Sequence, residues 1–276
     1  MNRNLLIACI QYTSAKNELI TLKTIKNLID KAVKAKAEFI TLPECATSLQ
    51  KSSILTKKLA KSENESISLQ CIKEIAKSKS IFILIGSLPI KIQNKLVNRS
   101  FLIGPNGNIL YRYDKIHLYD VNLPNGDIYR ESDTYRAGNK AVIAKIYRNK
   151  IKIGMTICYD VRFPNLYQDL AQNGAEIIVV PSAFSNITGP KHWHTLLKAR
   201  AIETGTFIIA PAQTGNHECG RISYGHSLII SPWGEVLQDA NKKVGIIYAK
   251  LNLEEVIKAR KAIPSLISKK VYLTNF

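Results

Sequence analysis

Several features that mark particular protein classes are missing from this sequence of 276 residues. No run of 18 apolar residues occurs, so we predict neither a membrane-spanning helix nor a membrane partner. No Pro-, Gly- or Ser-rich linker and no internal repeat divides the chain, which predicts a single domain over residues 1–276. The N-terminal apolar run is short and lacks a cleavage pattern, so we interpret it as a strand. A glycine-rich nucleotide loop is also missing, and no cofactor is expected.

Cysteine is scarce, and its distribution argues against disulfide bonds. The five cysteines are an odd number, lie far apart and fall mostly inside apolar segments: Cys9, Cys45, Cys71, Cys158 and Cys219. Such usage is typical of reduced thiols in the cytoplasm. We therefore predict a cytoplasmic protein.

Acidic residues are few relative to basic ones. The sequence has 39 Lys and Arg against 21 Asp and Glu, a formal net charge of +18. A surplus of this size raises the question of nucleic acid or an anionic membrane surface. However, the lysines are scattered through the predicted helices, and no RNA-binding signature with interleaved aromatic residues occurs. We therefore interpret the charge as a compositional bias and predict no nucleic-acid partner.

Strand and helix patterns alternate along the chain, with some hairpins between them. Apolar or alternating segments predict strands at residues 5–11, 39–42, 81–87, 96–103, 109–113, 141–147, 151–157, 175–180, 207–210, 226–230 and 244–251. Helical patterns cover residues 18–36, 55–78, 164–173, 190–203 and 253–261. A turn at residues 148–150 and a long irregular segment at 118–139 complete the prediction. The mixture predicts an α/β fold with mixed sheets and helices on their outer faces.

Residues 151–164, IKIGMTICYDVRFP, place a cysteine at a strand-to-helix corner. Ile151 to Ile157 alternate apolar and other residues, so Cys158 falls off the apolar positions, and Pro164 begins a helical pattern. Such a corner exposes one side chain and directs backbone N–H groups at it, which favours a thiolate and can hold an oxyanion. A small apolar cysteine in the core is the alternative.

Glu44, Lys115 and Cys158 each follow directly on a predicted strand, where open α/β sheets place their ligand crevices. Together they suffice for acyl transfer. A thiolate attacks a carbonyl carbon, a carboxylate moves the proton, and an ammonium stabilises the oxyanion. Each residue also has a purely structural interpretation. Glu44 can cap a turn, Lys115 can be a solvated surface lysine, and Cys158 can be an apolar residue of the core.

Three motifs favour the catalytic interpretation. LPE at residues 42–44, YDKIHL at 113–118 and CYDVRFP at 158–164 resemble the signature segments of the nitrilase superfamily of carbon-nitrogen hydrolases. They occur in the family's order, and the resemblance spans almost the whole chain. It implies a four-layer α-β-β-α sandwich that usually forms homodimers, with a small amide and water as the expected partners.

The resemblance also implies roles for individual residues. Glu44 corresponds to the general base, Lys115 to the oxyanion stabiliser and Cys158 to the nucleophile. The backbone N–H of Tyr159 completes the oxyanion hole, and Glu131 orients the lysine and the substrate amide. Where many members have Asn after the glutamate, this chain has Cys45, which leaves the neighbouring hydrogen bonds open.

Within the superfamily, residues 117–126, 181–193, 200–205 and 224–236 are most similar to the Nit branch, which contains deaminated glutathione amidase and ω-amidase. This similarity implies that Arg162, Phe184 and Thr188 surround the 2-oxo acid end of the substrate. A guanidinium suits that place because it binds a carboxylate with two hydrogen bonds. The expected activity is hydrolysis of a small anionic ω-amide through a cysteine thioester.

Other interpretations stay open at this point. Other amidases of the superfamily, an ω-amidase or an N-carbamoyl amide hydrolase, fit the same motifs. A non-catalytic basic scaffold that kept the fold is an alternative from a different class, and the intact triad argues against it. His192 and His194 alternate like a metal pair but lie in a predicted helix, where residues two apart face different directions, so we predict no metal site.

Overall fold

The computed structural model describes residues 3–147 and 150–268, in which strands and helices alternate. The strands are β1 (Asn4–Gln11), β2 (Phe39–Thr41), β3 (Phe82–Ile92), β4 (Lys95–Ile103), β5 (Ile109–Asp114), β6 (Asp120–Asn122), β7 (Ile128–Arg130), β8 (Val142–Ile146), β9 (Ile151–Met155), β10 (Ile177–Val179), β11 (Phe207–Ala210), β12 (Thr214–Asn216), β13 (Ile222–Tyr224), β14 (Leu228–Ile230), β15 (Val236–Asp239) and β16 (Gly245–Asn252). The helices are α1 (Glu18–Lys34), α2 (Ser53–Leu59), α3 (Ile67–Lys79), α4 (Pro164–Gln172), α5 (Gly189–Thr204) and α6 (Glu254–Ala262). None of the helices in these two ranges is long and apolar enough to cross a membrane.

The large strands form two mixed six-stranded sheets. The first has the order β16-β1-β2-β3-β4-β5, and the second has the order β15-β14-β11-β10-β9-β8. In both sheets the central strands are parallel, since β1, β2 and β3 are joined through helices, as are β9, β10 and β11. The outer strands add in antiparallel fashion. Short ribbons β6-β7 and β12-β13 lie outside both sheets.

Alternation along β1 shows how the layers stack. Leu5 and Ile7 belong to the core shared with the second sheet, whereas Ala8 and Ile10 pack with Ile25 of α1 on the opposite face. Because successive side chains of a strand point to opposite faces, the first sheet is covered by helices on one side and by the second sheet on the other.

Helices α4 and α5 cover the outer face of the second sheet. Leu170 of α4 and Trp193 and Leu197 of α5 are buried in one cluster with Ile178 of β10. The result is the predicted four-layer α-β-β-α sandwich, and its mixed sheets are confirmed.

The predicted helix at residues 55–78 is wrong as a single element. The structure has α2 and α3, and residues 60–66 between them are not helical. Ser66 caps α3, because its side chain accepts a hydrogen bond from the backbone N–H of Leu69 at 3.2 Å. Helix α2 buries none of its residues. No packing against the core therefore stabilises a longer helix that would join it to α3.

Other differences concern short strands. The segment 118–139, predicted as irregular, contains the ribbon β6-β7 and a 3₁₀ turn at Glu131–Asp133. The pattern also missed β12, β13 and β15. The predicted hairpin of β8 and β9 is confirmed by the pairing of Ile146 with Ile151, while most of its turn, residues 148 and 149, lies outside the described residues.

Candidate active site

Glu44 stands just beyond the end of β2, at the edge between the two sheets. β3 passes this segment so closely that a Cβ on Gly86 would lie 2.2 Å from the carbonyl oxygens of Leu42 and Pro43. Cys45 then reverses the chain with a φ of 53°, and its N–H donates to the Ser87 hydroxyl at 2.9 Å. These constraints direct the Glu44 side chain between the sheets, where it is 5% exposed.

Lys115 follows the last residue of β5. Its backbone N–H donates to the Asn98 carbonyl at 3.0 Å, and its own carbonyl accepts from the N–H of Gly138 at 2.8 Å. A Cβ on Gly138 would lie 2.2 Å from the Asp114 carbonyl oxygen, so this close crossing requires glycine. The lysine side chain is thereby held at 2% exposure.

Cys158 lies at the predicted corner, two residues after Thr156 and before α4. Its φ of 47° is left-handed, which is uncommon for a residue other than glycine, and its N–H donates to the Pro181 carbonyl at 2.9 Å. A 3₁₀ turn, Cys158–Arg162, follows. Within residues 3–147 and 150–268, no protein carbonyl accepts the backbone N–H of Tyr159, which leaves this donor for a ligand.

The structure brings the four predicted polar side chains together. Nζ of Lys115 lies 2.9 Å from Oε1 of Glu44 and 2.8 Å from Oε2 of Glu131. The Cys158 thiol lines the same cavity as Glu44 and lies near enough for the charge of Glu44 to raise the pKa of the thiol. The other oxygen of Glu44 accepts from the backbone N–H of Ala183 at 2.9 Å. A carboxylate, an ammonium and a thiol therefore share one small volume.

Burial and the charges in this volume determine the protonation state of the thiol in the free enzyme. Burial raises the pKa of the Cys158 thiol, and the negative charge of Glu44 raises it further. Burial also acts to raise the pKa of Glu44, but the charge and hydrogen bond of Lys115 outweigh it and hold that pKa below its usual value. For Lys115, the charges of Glu131 and Glu44 overcome burial and keep the pKa well above its ordinary value. The resting site therefore holds a neutral thiol, an ionised Glu44 and an ammonium.

Asp160 ties the corner to the segment that carries the lysine. Its buried carboxylate accepts from the Tyr113 hydroxyl at 2.7 Å, from the backbone N–H of Ile157 at 2.8 Å and from that of His117 at 3.0 Å. The His117 ring nitrogen lies 2.7 Å from the same carboxylate, and its ring stacks on Phe163 at 3.6 Å. His117 thus braces the segment next to Lys115.

Asp160→Asn is expected to lower the free energy of unfolding by about 3 kcal/mol, because an amide can replace only one of two oxygens that each accept two hydrogen bonds. Urea denaturation measures the difference. Asp169→Asn is the matched control, since Asp169 is exposed on α4, and it should change stability by less than about 0.5 kcal/mol. Equal stabilities of the two variants would show that Asp160 does not hold the corner.

A cavity of about 650 Å³ opens onto the thiol. Of the residues predicted to contact substrate, Tyr159, Phe184 and Thr188 line it, but Arg162 does not. The Arg162 guanidinium lies 3.1 Å from Nδ1 of His192 and faces the rings of Tyr159 and Phe184 at 5.7 and 5.5 Å. Arg162 therefore contacts two rings that line the cavity without lining the cavity itself.

Two polar residues of the site escaped sequence reasoning. Asn98 on β4 donates to both glutamates, at 3.2 Å to Glu44 and 3.1 Å to Glu131. A polar residue within an apolar strand was the available signal. Arg221, which lies between β12 and β13, lines the cavity, and no pattern in the sequence marked it.

Among the described residues that line the cavity, no three His, Cys, Asp or Glu side chains are grouped as metal ligands, whereas one such group lies elsewhere. Within the described ranges, His194, His226 and Asp239 place one ligand atom each within 4.8 Å of one another. The Asp239 carboxylate already hydrogen bonds both rings, at 3.1 Å to His194 and 3.0 Å to His226. None of the three lines the cavity. The hydrogen bonds of Asp239 to the two histidine rings account for the arrangement of this group.

The family model described as carbon-nitrogen hydrolase matches residues 6–261. The chain belongs to the carbon-nitrogen hydrolase family. The resemblance to the nitrilase superfamily read from the three motifs is thereby confirmed, and the protein is a hydrolase acting on carbon-nitrogen bonds.

Similar proteins are known from several organisms. The deaminated glutathione amidase of Synechocystis sp. (strain PCC 6803 / GT-S) is 40% identical over 267 residues, covering 95% of this chain and 96% of that one. The omega-amidase NIT2 of Mus musculus is 33% identical over 264 residues, covering 96% and 94%. The crystal structure of the C. elegans NitFhit protein superimposes with a TM-score of 0.90 at 32% identity, and covers 97% of this chain and 65% of that longer one.

Proposed function

We propose that the hydrolase cleaves a small amide through a thioester on Cys158, with Glu44 as general base and Lys115 as oxyanion stabiliser. The observation that carries the proposal is the position of Glu44, which accepts from Nζ of Lys115 at 2.9 Å and lines the cavity beside the Cys158 thiol, whose pKa its charge raises. One carboxylate is therefore coupled both to the nucleophile and to the cation that stabilises the product of its attack.

The first half-reaction forms the thioester. Because the resting thiol is neutral, Glu44 takes its proton as Sγ attacks the amide carbon. Two of the three ammonium donors of Lys115 are held by Glu44 and Glu131, so the third is free for the oxyanion, which the N–H of Tyr159 also reaches in this proposal. When the tetrahedral intermediate collapses, the carbon-nitrogen bond breaks and the proton on Glu44 goes to the leaving nitrogen.

The second half-reaction uses water. Glu44, ionised again, takes a proton from the water that attacks the thioester carbon. The same two donors hold the second oxyanion. Collapse breaks the carbon-sulfur bond, Glu44 returns the proton to the Cys158 thiolate, and the carboxylic acid leaves. Lys115 stays protonated throughout, which agrees with its raised pKa.

For the substrate we propose an amide with a carboxylate at its far end, such as deaminated glutathione. The relative at 40% identity bears the name of an amidase for that compound, and a cavity of about 650 Å³ has room for a molecule larger than a simple aliphatic amide. An ω-amidase activity is the second candidate, because the mouse omega-amidase is 33% identical over most of both chains. Ammonia release from ω-amides and amine release from deaminated glutathione distinguish the two.

A non-catalytic scaffold is the alternative from another class. A buried lysine between a buried and a partly buried glutamate is costly to keep, and a scaffold would gain nothing from a thiol placed beside that cluster. Absence of turnover on the amide panel would favour the scaffold.

Arg162→Ala tests the predicted contact of this residue with the anionic end. If Arg162 leaves His192 to bind the carboxylate, kcat/KM should fall about tenfold or more for an anionic amide and stay nearly constant for a neutral one. If Arg162 only supports the rings of Tyr159 and Phe184, kcat/KM should fall equally for both substrates. Steady-state kinetics on the substrate pair decides between these results.

We also propose that the enzyme is cytoplasmic and forms a homodimer. Free thiols on all five cysteines support the compartment. Large apolar side chains exposed on the helical side support an oligomer, with Ile202 at 55%, Ile257 at 50% and Ile263 at 56%. Light scattering of the purified protein measures the mass of the assembly.

A further inference from the structure

We propose that Arg221 forms an anion-binding subsite in the cavity and holds a substrate carboxylate remote from the scissile bond. The inference rests on the proposed amidase function and names a determinant of its specificity. Arg221 lines the cavity together with Cys158 and is half-buried. It lies near enough to the reacting groups for its charge to lower the pKa of Glu44, although burial and Lys115 act more strongly there.

The backbone of Arg221 is held by a buried histidine. The N–H of His217 donates to the Arg221 carbonyl at 2.9 Å, which closes the turn between β12 and β13. The two ring nitrogens of His217 lie 3.1 Å from the Ser14 carbonyl oxygen and 2.8 Å from the Ser223 hydroxyl. This turn is therefore fixed to the body of the protein and presents the arginine from a rigid base.

The side chain of Arg221 is positioned by an aromatic ring. Its guanidinium lies over Tyr129 of β7, 5.7 Å from the ring centroid. A cation over an aromatic face gains about 0.5–2 kcal/mol, and the contact leaves the edge of the guanidinium, with its N–H donors, free for a ligand.

Arg221 lacks the partners that other inward-facing guanidinium groups have. Arg99 binds Asp114, Arg200 binds Glu203 and the Val161 carbonyl, and Arg260 binds the carbonyls of Thr204 and Ala175. By contrast, within residues 3–147 and 150–268 no carboxylate lies within salt-bridge distance of Arg221, and its side chain makes no hydrogen bond to protein.

This combination fits a carboxylate ligand. Removing a guanidinium from water without a hydrogen-bond partner is unfavourable, and a carboxylate that enters the cavity would supply two charge-assisted hydrogen bonds at once. The more exposed cations of the cavity mouth, such as Lys51, stay hydrated and can only attract an anion at long range. Arg221 is therefore the cavity residue best placed to select for charge.

The test compares Arg221→Gln and Arg221→Lys with wild-type enzyme on two pairs of amides. Succinamate and butyramide differ by a carboxylate on the acyl side. N-butyrylglycine and N-ethylbutyramide differ by a carboxylate on the amine side. We expect Arg221→Gln to raise KM about tenfold to a hundredfold for the anionic member of one pair, and that pair identifies the end that Arg221 binds. Neutral members should change less than about twofold, and Arg221→Lys should recover part of the loss.

Lys51→Gln removes one positive charge from the mouth and should change KM by less than about threefold. Calorimetry with glutarate gives a readout independent of turnover, in which Arg221→Gln should bind at least about tenfold more weakly than wild type. Equal loss for charged and neutral amides, or equal binding of glutarate, would overturn the subsite. Glutarate binding that depends on Arg221 in a protein that hydrolyses no amide would support the subsite and overturn the proposed function.

Discussion

Changing Cys158 to alanine should reduce kcat by roughly 10⁴- to 10⁶-fold, the range seen when a covalent nucleophile is removed from a hydrolase. Glu44 and Lys115 stay in place in this variant, but the bond to the acyl group cannot form. Serine should not restore the activity. The environment that raises the pKa of the thiol also raises the pKa of a hydroxyl, so Glu44 cannot deprotonate the serine. Amide hydrolysis by each variant is the measurement.

The loss should occur without unfolding. Alanine and serine are close to cysteine in volume, and both variants should melt within a few degrees of wild type. Cys71→Ser is the matched control, since Cys71 lies on α3, outside the cavity, and this change should leave kcat near the wild-type value. Appreciable turnover by the Cys158 variants would mean that the thiol is a core residue and not the nucleophile.

Lys115→Met has the second-largest expected effect, on both rate and stability. Loss of one oxyanion donor costs about a hundredfold to a thousandfold in kcat. The variant also leaves the buried Glu44 and the partly buried Glu131 without the ammonium that now lies 2.9 and 2.8 Å from them, which should destabilise the fold by about 3–5 kcal/mol. Steady-state kinetics and urea denaturation measure the two effects.

The stability loss of Lys115→Met should depend on pH in a defined direction. In wild type the lowered pKa of Glu44 contributes stability above its unfolded-state value of about 4.3, and this contribution is lost as the pH falls through the folded-state pKa. Without Lys115, burial dominates and raises the pKa of Glu44. Ionisation of Glu44 then destabilises the folded state of the variant, whereas it stabilises that of wild type. The gap between variant and wild type should therefore be widest near pH 7 and should narrow towards about pH 4.

Lys115→Arg separates charge from geometry. A planar guanidinium keeps the charge but cannot place donors on Glu44, Glu131 and an oxyanion from one atom, so kcat should stay low while much of the stability returns. Near-normal turnover in this variant would contradict the oxyanion role of Lys115.

Local pattern was sufficient for most of the fold because it reports burial directly. The continuous apolar run of β1 reflects a strand covered on both faces, and the apolar stripe of α1 reflects a helix covered on one, so those elements were predictable. Helix α2 was not separable from α3, since its exposed residues carry no burial signal. The strands missed, such as β12 and β13, have three residues each, which is too short for periodicity to register.

The site shows the same division between local and long-range information. Glu44, Lys115 and Cys158 each follow a strand and each belong to a recognisable motif. They could therefore be predicted individually. The hydrogen bonds that join them to Asn98 and to the N–H of Ala183 connect residues 54 and 139 positions apart. The first pairing depends on the strand order within one sheet and the second on how the two sheets face each other, and no spacing in the sequence encodes either.

Trapping the covalent intermediate tests the central claim most directly. The enzyme is mixed with an amide substrate, quenched in acid during turnover, digested and examined by mass spectrometry. The proposed mechanism predicts an acyl mass increase on the peptide that contains Cys158, and no increase in Cys158→Ala. An acyl adduct on Cys9, Cys45, Cys71 or Cys219 would contradict it, as would full turnover with no acylated peptide.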